Sequence, residues 1–134
     1  MHFKHKESRP LSARIKTLIV DDCEVVRASL VRLLATMPFV ELIGIAASGL
    51  DAIEMTADKQ PQLVLMDFQM PGLNGLEAMR LIRDLHPATR VILMSAHDLS
   101  QVEECHGVGG ADAFVPKKNL FNELQATILR LFAY

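Results

Sequence analysis

Four apolar runs each end on a polar or charged residue. IKTLIV runs into Asp21-Asp22, QLVLM into Asp67, RVILM into Ser95 and AFVP into Lys117. Runs of this length, rich in Val, Ile and Leu and separated by helical patterns, read as buried strands of a parallel sheet. In an open α/β sheet the ligand site lies outside the carboxyl ends of the strands. The four ends therefore converge, bringing three carboxylates, a hydroxyl and a lysine to one small pocket. That set suits holding a divalent cation beside a nucleophilic carboxylate that receives a phosphoryl group.

Around these ends, strands and helices alternate five times. The first strand spans about Lys16 to Val20. The helix after it, near Cys23 to Met37, puts Val26, Leu30, Leu33, Leu34 and Met37 on one face, and Pro38 closes it. Val40 to Ala47 is the second strand, and Gly49 opens a helix that ends before Pro61. Gln62 to Met66 is the third strand. The loop Gln69-Met70-Pro71-Gly72-Leu73-Asn74-Gly75 leads into an amphipathic helix from Leu76 to Leu85, stopped by Pro87. Val91 to Met94 is the fourth strand, and Leu99 to Val108 the least apolar of the helices. Ala113 to Val115 is a short fifth strand, and Asn119 caps a last helix to about Phe132. Such βα repeats with right-handed crossovers give a parallel sheet covered by helices on both faces. The expected organisation is one domain over 15–134 behind a basic, flexible arm over 1–14.

The chain is 50% hydrophobic and 22% charged, which excludes a disordered polymer. No apolar run approaches the roughly 20 residues of a membrane span, and no signal for secretion is visible at the start. Cys23 and Cys105 form no metal or redox spacing motif, so a reduced cytoplasmic chain is expected. A net charge of −2 offers no drive toward nucleic acid. The arm is the exception: His2, Lys4, His5, Lys6, Arg9, Arg14 and Lys16 face the single acid Glu7. It could meet an acidic partner, although frayed chain ends of this kind are common.

A carboxylate such as Asp67 is a competent nucleophile toward phosphorus, and the acyl phosphate it forms is labile enough for a reversible signal. Like charges ~4 Å apart at an effective dielectric near 20 repel by roughly 4 kcal/mol. Without a cation, some pKa values among Asp21, Asp22 and Asp67 should therefore rise. Lys117 offers a compact charge that can pair with Asp67 at rest and with a phosphoryl oxygen afterwards. Ser95 offers a hydroxyl to such an oxygen, and Ala96 a backbone N–H.

The stretches LIVDDCEVVR, LVLMDFQMPGLNGLEAMRLIR, VILMSAH and GADAFVPKK, in this order and spacing, resemble the receiver domains of two-component response regulators. The resemblance covers about Ile15 to Tyr134 and is strongest to receivers of the NarL/LuxR-type subgroup. That subgroup tends to lack a proline after the lysine, and here the position is Lys118. The resemblance implies a flavodoxin-like (βα)5 fold with a five-stranded parallel sheet in order 2-1-3-4-5. It implies Asp67 as phosphoacceptor and Mg²⁺ as cofactor, held by Asp22, Asp67 and the backbone carbonyl of Gln69, with Asp21 acting through water. Lys117 and Ser95 would contact the phosphoryl group, and Ser95 with Phe114 would form a switch.

The implied partner is a sensor histidine kinase or phosphotransfer protein, and the chain would catalyse only its own phosphorylation and dephosphorylation. A homodimer through the fourth helix, fifth strand and last helix is also implied, with no direct nucleic-acid or membrane binding by this chain. Pro116 before the lysine departs from the family pattern and would stiffen that loop. Gln69 and His97 flank the pocket, where they could set how fast water attacks the acyl phosphate.

Other classes fare worse. A haloacid-dehalogenase-like phosphatase needs a second Asp two positions after the nucleophile, and that position is Gln69. A nucleotide-binding protein would need a GxxxxGK[ST] or GxGxxG loop, and neither occurs. A stand-alone receiver and an N-terminal receiver excised from a helix-turn-helix transcriptional regulator both remain open.

Overall fold

The pleat of each strand sends alternate side chains to opposite faces, and that alternation sorts the apolar residues into two layers. The computed structural model describes residues 13–96 and 110–132. Its strands are β1 (Ile15–Val20), β2 (Val40–Ala46), β3 (Leu63–Asp67), β4 (Arg90–Ser95) and β5 (Ala113–Pro116). They form one sheet in the order β2-β1-β3-β4-β5, every pair parallel, as expected for a flavodoxin-like fold. The helices are α1 (Glu24–Ala35), α2 (Gly49–Lys59), α3 (Gly75–Leu85) and α4 (Leu120–Phe132).

Ile15, Ile19, Leu63, Leu65, Ile92, Met94 and Val115 point to one face. There they meet Leu30, Leu33 and Leu34 of α1 and Leu120, Leu124 and Ile128 of α4. The residues between them, Leu18, Val20, Val64, Met66, Val91 and Leu93, point the other way onto Ala52 of α2 and Ala78, Met79 and Ile82 of α3. Each such buried side chain contributes about 1.5–3 kcal/mol relative to an exposed one. A one-residue slip of any strand would turn its whole set to the wrong layer.

The expected boundaries shift by small amounts with local causes. Asp67 is the last residue of β3 itself rather than the first beyond it, and β5 extends one residue further, to Pro116. An edge strand tolerates a proline because one side of its backbone has no neighbour. α3 starts at Gly75, one residue early, because Asn74 and Glu77 form a reciprocal capping box. α1 starts at Glu24, with Cys23 at the cap position and no side-chain bond there. Asn119 ends a 3-10 turn, Lys117–Asn119, that runs directly into α4. α2 ends on Gln60 in the left-handed conformation at φ 49°, just before Pro61. The expected helix over Leu99 to Val108, His97, Cys105 and residues 1–12 of the basic arm lie outside the described residues.

Two contacts fix the strand ends that matter most. Asp112 donates its N–H to the Val91 carbonyl at 2.9 Å and accepts from the Val91 N–H at 2.7 Å, while Arg83 of α3 reaches the same carboxylate. The side chain thereby continues the ladder where β5 begins. At the other end, Gly75 donates to the Phe68 carbonyl at 3.0 Å, so the first residue of α3 rests on the chain leaving β3. A Cβ at Gly75 would lie 1.9 Å from the Asp67 carbonyl oxygen and 2.9 Å from the Phe68 Cα. Backbone cannot yield there as a flexible side chain could. Gly75→Ala is therefore expected to destabilise the fold by about 1–3 kcal/mol. Denaturant unfolding measures this, and an unchanged midpoint would contradict the contact.

Candidate functional site

The register of β1 and β3 pairs Val20 with Met66, so the next residues, Asp21 and Asp67, stand side by side. From there the chain leaves β1 toward α1 on one face of the sheet and β3 toward α3 on the other. This divergence is the switch point of a doubly wound sheet, where a crevice must open. Asp22 follows Asp21 on the exposed lip, while Asp21 is fully buried and Asp67 only 4% exposed. Carboxylate oxygens of all three lie within 4.8 Å of one another.

Asp21 is held on every side. Its N–H donates to the Ala46 carbonyl at 3.1 Å, and its Oδ1 accepts from the Cys23 N–H at 2.8 Å. Its own carbonyl accepts from Arg27 Nη1 at 2.8 Å. Lys117 Nζ lies 2.8 Å from Asp21 Oδ2 and 3.3 Å from Asp67 Oδ1. The expected resting pair with Asp67 is thus present, but Asp21 is the nearer partner. Asp21 Oδ2 is buried and receives no aligned hydrogen bond, so the lysine contact leaves capacity for another ligand. The neighbouring Lys118 is exposed, which makes Lys117 the lysine that serves the crevice.

The electrostatics follow from this crowding. Burial pushes the Asp67 carboxyl up, the Asp21 charge pushes it further, and Lys117 and the Gln69 N–H, 3.3 Å from Oδ1, only partly offset them. The result is a pKa raised from the usual 3.8 to about 6, the direction that repulsion within the acid cluster requires. Burial alone would lower the Lys117 pKa. The contacts with Asp21 and Asp67 outweigh it and hold the ammonium above its usual value.

Ser95 is buried at the end of β4, one residue past the level of Asp67, and lies opposite Pro116 of β5. Ala96 beside it is exposed. Phe114 is half-buried against the core beneath α2 and α3. Gln69 is exposed at the rim, as is the free thiol of Cys23. Asp21, Asp22, Asp67 and Lys117 are thus brought together, with Ser95 on the next strand.

Two residues that sequence reasoning passed over belong to this frame. Gly75 carries no signal in a single sequence beyond its place in a turn-rich loop. Arg27 carries one: a cation near the start of a helix opposes the helix dipole and wants another reason to be there.

Three clustered carboxylates with one buried, incompletely bonded oxygen fit a small hard cation, which takes oxygen ligands and relieves their repulsion. A carboxylate at the end of a buried strand, flanked by acids and a lysine, can act as nucleophile toward an electrophilic phosphorus once that charge is balanced.

Comparison with known proteins agrees. Residues 17–129 match the family model described as the response regulator receiver domain. The protein-glutamate methylesterase/protein-glutamine glutaminase 4 of Geobacter metallireducens is 44% identical over 88 residues, 66% of this chain and 25% of that protein. The probable transcriptional regulatory protein NarL of Mycobacterium tuberculosis is 30% identical over 122 residues, 91% of this chain and 56% of that protein. The chain therefore spans between a quarter and about half the length of these curated relatives. The signal receiver domain structure of NarL from Mycobacterium tuberculosis superposes with a TM-score of 0.77 at 29% identity, covering 88% of this chain and 95% of that one. The strand order, the acid-lined crevice at the switch point and the sequence match lead to one conclusion: this chain belongs to the response regulator receiver domain family, with NarL/LuxR-type receivers among its relatives.

Proposed function

We propose that Asp67 accepts the phosphoryl group from a phosphohistidine of a sensor histidine kinase or phosphotransfer protein. The observation that carries this reading is the buried Asp67 carboxylate at the end of β3, with Lys117 3.3 Å away and two further acids within 4.8 Å. An Asp67 oxygen attacks phosphorus, the phosphorus–nitrogen bond breaks, and the imidazole leaves. Asp22, Asp67 and the Gln69 backbone carbonyl would hold Mg²⁺, with Asp21 acting through water. The ion would supply charge neutralisation for the phosphoryl oxygens.

Lys117 bridges Asp21 and Asp67 before the reaction and can pass from Asp67 to a phosphoryl oxygen after it. The Ser95 hydroxyl donates to a second oxygen. Drawing it inward vacates space beside β5 that Phe114 enters, and the change reaches the face formed by β5 and α4. That face is where a partner, or a second copy of this chain, is expected to dock more tightly after phosphorylation. A second reading makes this chain the receiver part of a longer transcriptional regulator whose output is DNA binding. The NarL relative, which extends well beyond the matched region, favours it.

The donor must approach Asp67 past the rim of the crevice. A cleft of about 190 Å³ between α1 and α4 opens there, lined by Val25, Val26, Leu120 and Phe121 and ending on Lys117. Val25 and Phe121 are 73% and 78% exposed, unusual for large apolar side chains beside a polar site. We place the phosphodonor on these two residues.

Incubation with acetyl phosphate and Mg²⁺ is expected to add one phosphoryl group, mapped by mass spectrometry to Asp67 and absent in Asp67→Asn. A phosphate mapped to Ser95 or to a histidine would contradict the assignment. With a phosphohistidine protein as donor, Val25→Asp together with Phe121→Asp should slow transfer at least about tenfold, as loss of an aromatic anchor does. Labelling by acetyl phosphate should stay unchanged in that variant. Equal losses with both donors would place the donor elsewhere.

A further inference from the structure

Arg27 is out of place by the ordinary rules of helix electrostatics. It is the fourth residue of α1, where the partial positive charge of the helix end disfavours a cation. Its guanidinium turns back and donates through Nη1 to the carbonyl of Asp21 at 2.8 Å, spanning six residues. That carbonyl belongs to the peptide joining Asp21 to Asp22. The same short segment is bound at three other points: Asp21 N–H to the Ala46 carbonyl at 3.1 Å, Cys23 N–H to Asp21 Oδ1 at 2.8 Å, and Arg27 N–H to the Cys23 carbonyl at 3.0 Å. Of these four bonds, the Arg27 side chain makes the only one that holds the Asp21–Asp22 peptide plane itself.

Rotation of that plane would swing the exposed Asp22 carboxylate relative to the buried Asp21. We propose that Arg27 is a positioning residue for the cation site. It fixes the acid pair in the orientation in which both carboxylates face Asp67, and so raises the affinity for Mg²⁺ without touching the ion or the reacting atoms. The inference rests on the reading of the acid cluster as a Mg²⁺ site.

The sign of the effect separates positioning from simple charge. As a nearby positive charge alone, Arg27 would repel a divalent cation, and its removal would tighten binding. As a clasp, its removal must weaken binding. Arg27→Met keeps the apolar stem over the surface while removing every donor. Calorimetric titration with Mg²⁺ should show its affinity reduced about tenfold, the loss typical of a hydrogen bond from a charged donor. Arg27→Gln, too short to reach the Asp21 carbonyl, should lose affinity likewise, so the test stands even if one variant folds poorly. Arg27→Lys, which keeps a charged donor, should fall between these variants and the wild type. At saturating Mg²⁺ the rate of labelling by acetyl phosphate should recover to near the wild-type value, because Asp67 and Lys117 are untouched. Mg²⁺ affinity equal to or tighter than wild type in the folded Met or Gln variant overturns the role of Arg27. Absence of Mg²⁺ binding by the wild type would instead overturn the cation site on which the inference stands.

Discussion

The arrangement of this molecule turns on the repulsion between carboxylates placed at the ends of two adjacent parallel strands. β1 and β3 pair in a register that leaves Asp21 beside Asp67, and Asp22 completes a cluster no wider than 4.8 Å. Burial and mutual repulsion both disfavour the charged forms of such a cluster, which is why clusters of this kind gather at functional sites. One lysine, 2.8 Å from Asp21 and 3.3 Å from Asp67, offsets part of the tension. The remainder appears in the raised pKa of Asp67 and in an Asp21 oxygen without an aligned hydrogen bond. On the proposed reading, a divalent cation, and later a phosphoryl group that draws the lysine to itself, would change the balance of the same few charges, and the signal would be that change of balance.

Holding charges in tension demands a rigid frame, and the surrounding structure supplies one. Every apolar side chain of the central strands is committed to one of two layers. The backbone of Asp67 is backed by Gly75 so closely that no side chain fits between them. The segment Asp21–Cys23 is bonded through the N–H, carbonyl and carboxylate of Asp21 and through the N–H and carbonyl of Cys23. Lys117 comes from a strand that passes through Pro116, with φ fixed at −60°, straight into a 3-10 turn and α4. The departure from the family pattern at Pro116 thus falls where a stiff connection holds the counter-charge in place.

Much of this was legible in the chain because burial on both faces writes strands as apolar runs, and their polar ends then mark the site. LVLM followed by Asp67, and LIV followed by Asp21-Asp22, located the crevice, and the strand order followed from the family resemblance. Legibility failed where the information is three-dimensional. No pattern in the sequence says that Lys117 sits nearer Asp21 than Asp67, since that depends on where α4 begins. In the sequence Gly75 is indistinguishable from an ordinary turn glycine, and what requires it is the close approach of the Asp67 carbonyl. The capping box of Asn74 and Glu77 is legible as a pattern, an Asn followed three residues later by Glu, and it sets the start of α3 at Gly75 rather than Leu76. Arg27 does carry a signal, because a cation so near a helix start is an anomaly a sequence can show.

Because the folded-state pKa of Asp67 is raised above its usual 3.8, the folded protein binds a proton more tightly than the unfolded chain does. Stability from this group is therefore fully present below about pH 4 and is lost as pH rises through about 6, by at most about 3 kcal/mol. Bound Mg²⁺ should cancel the penalty by stabilising the ionised form. The most direct test is the titration of the Asp67 side-chain carboxyl by carbon-13 NMR, with and without Mg²⁺. A midpoint near 6 in the metal-free protein, moving well below that value when Mg²⁺ saturates the site, is the expected result. An ordinary midpoint near 4 that Mg²⁺ leaves unmoved would contradict the central claim that these carboxylates are held in mutual tension for a cation to relieve.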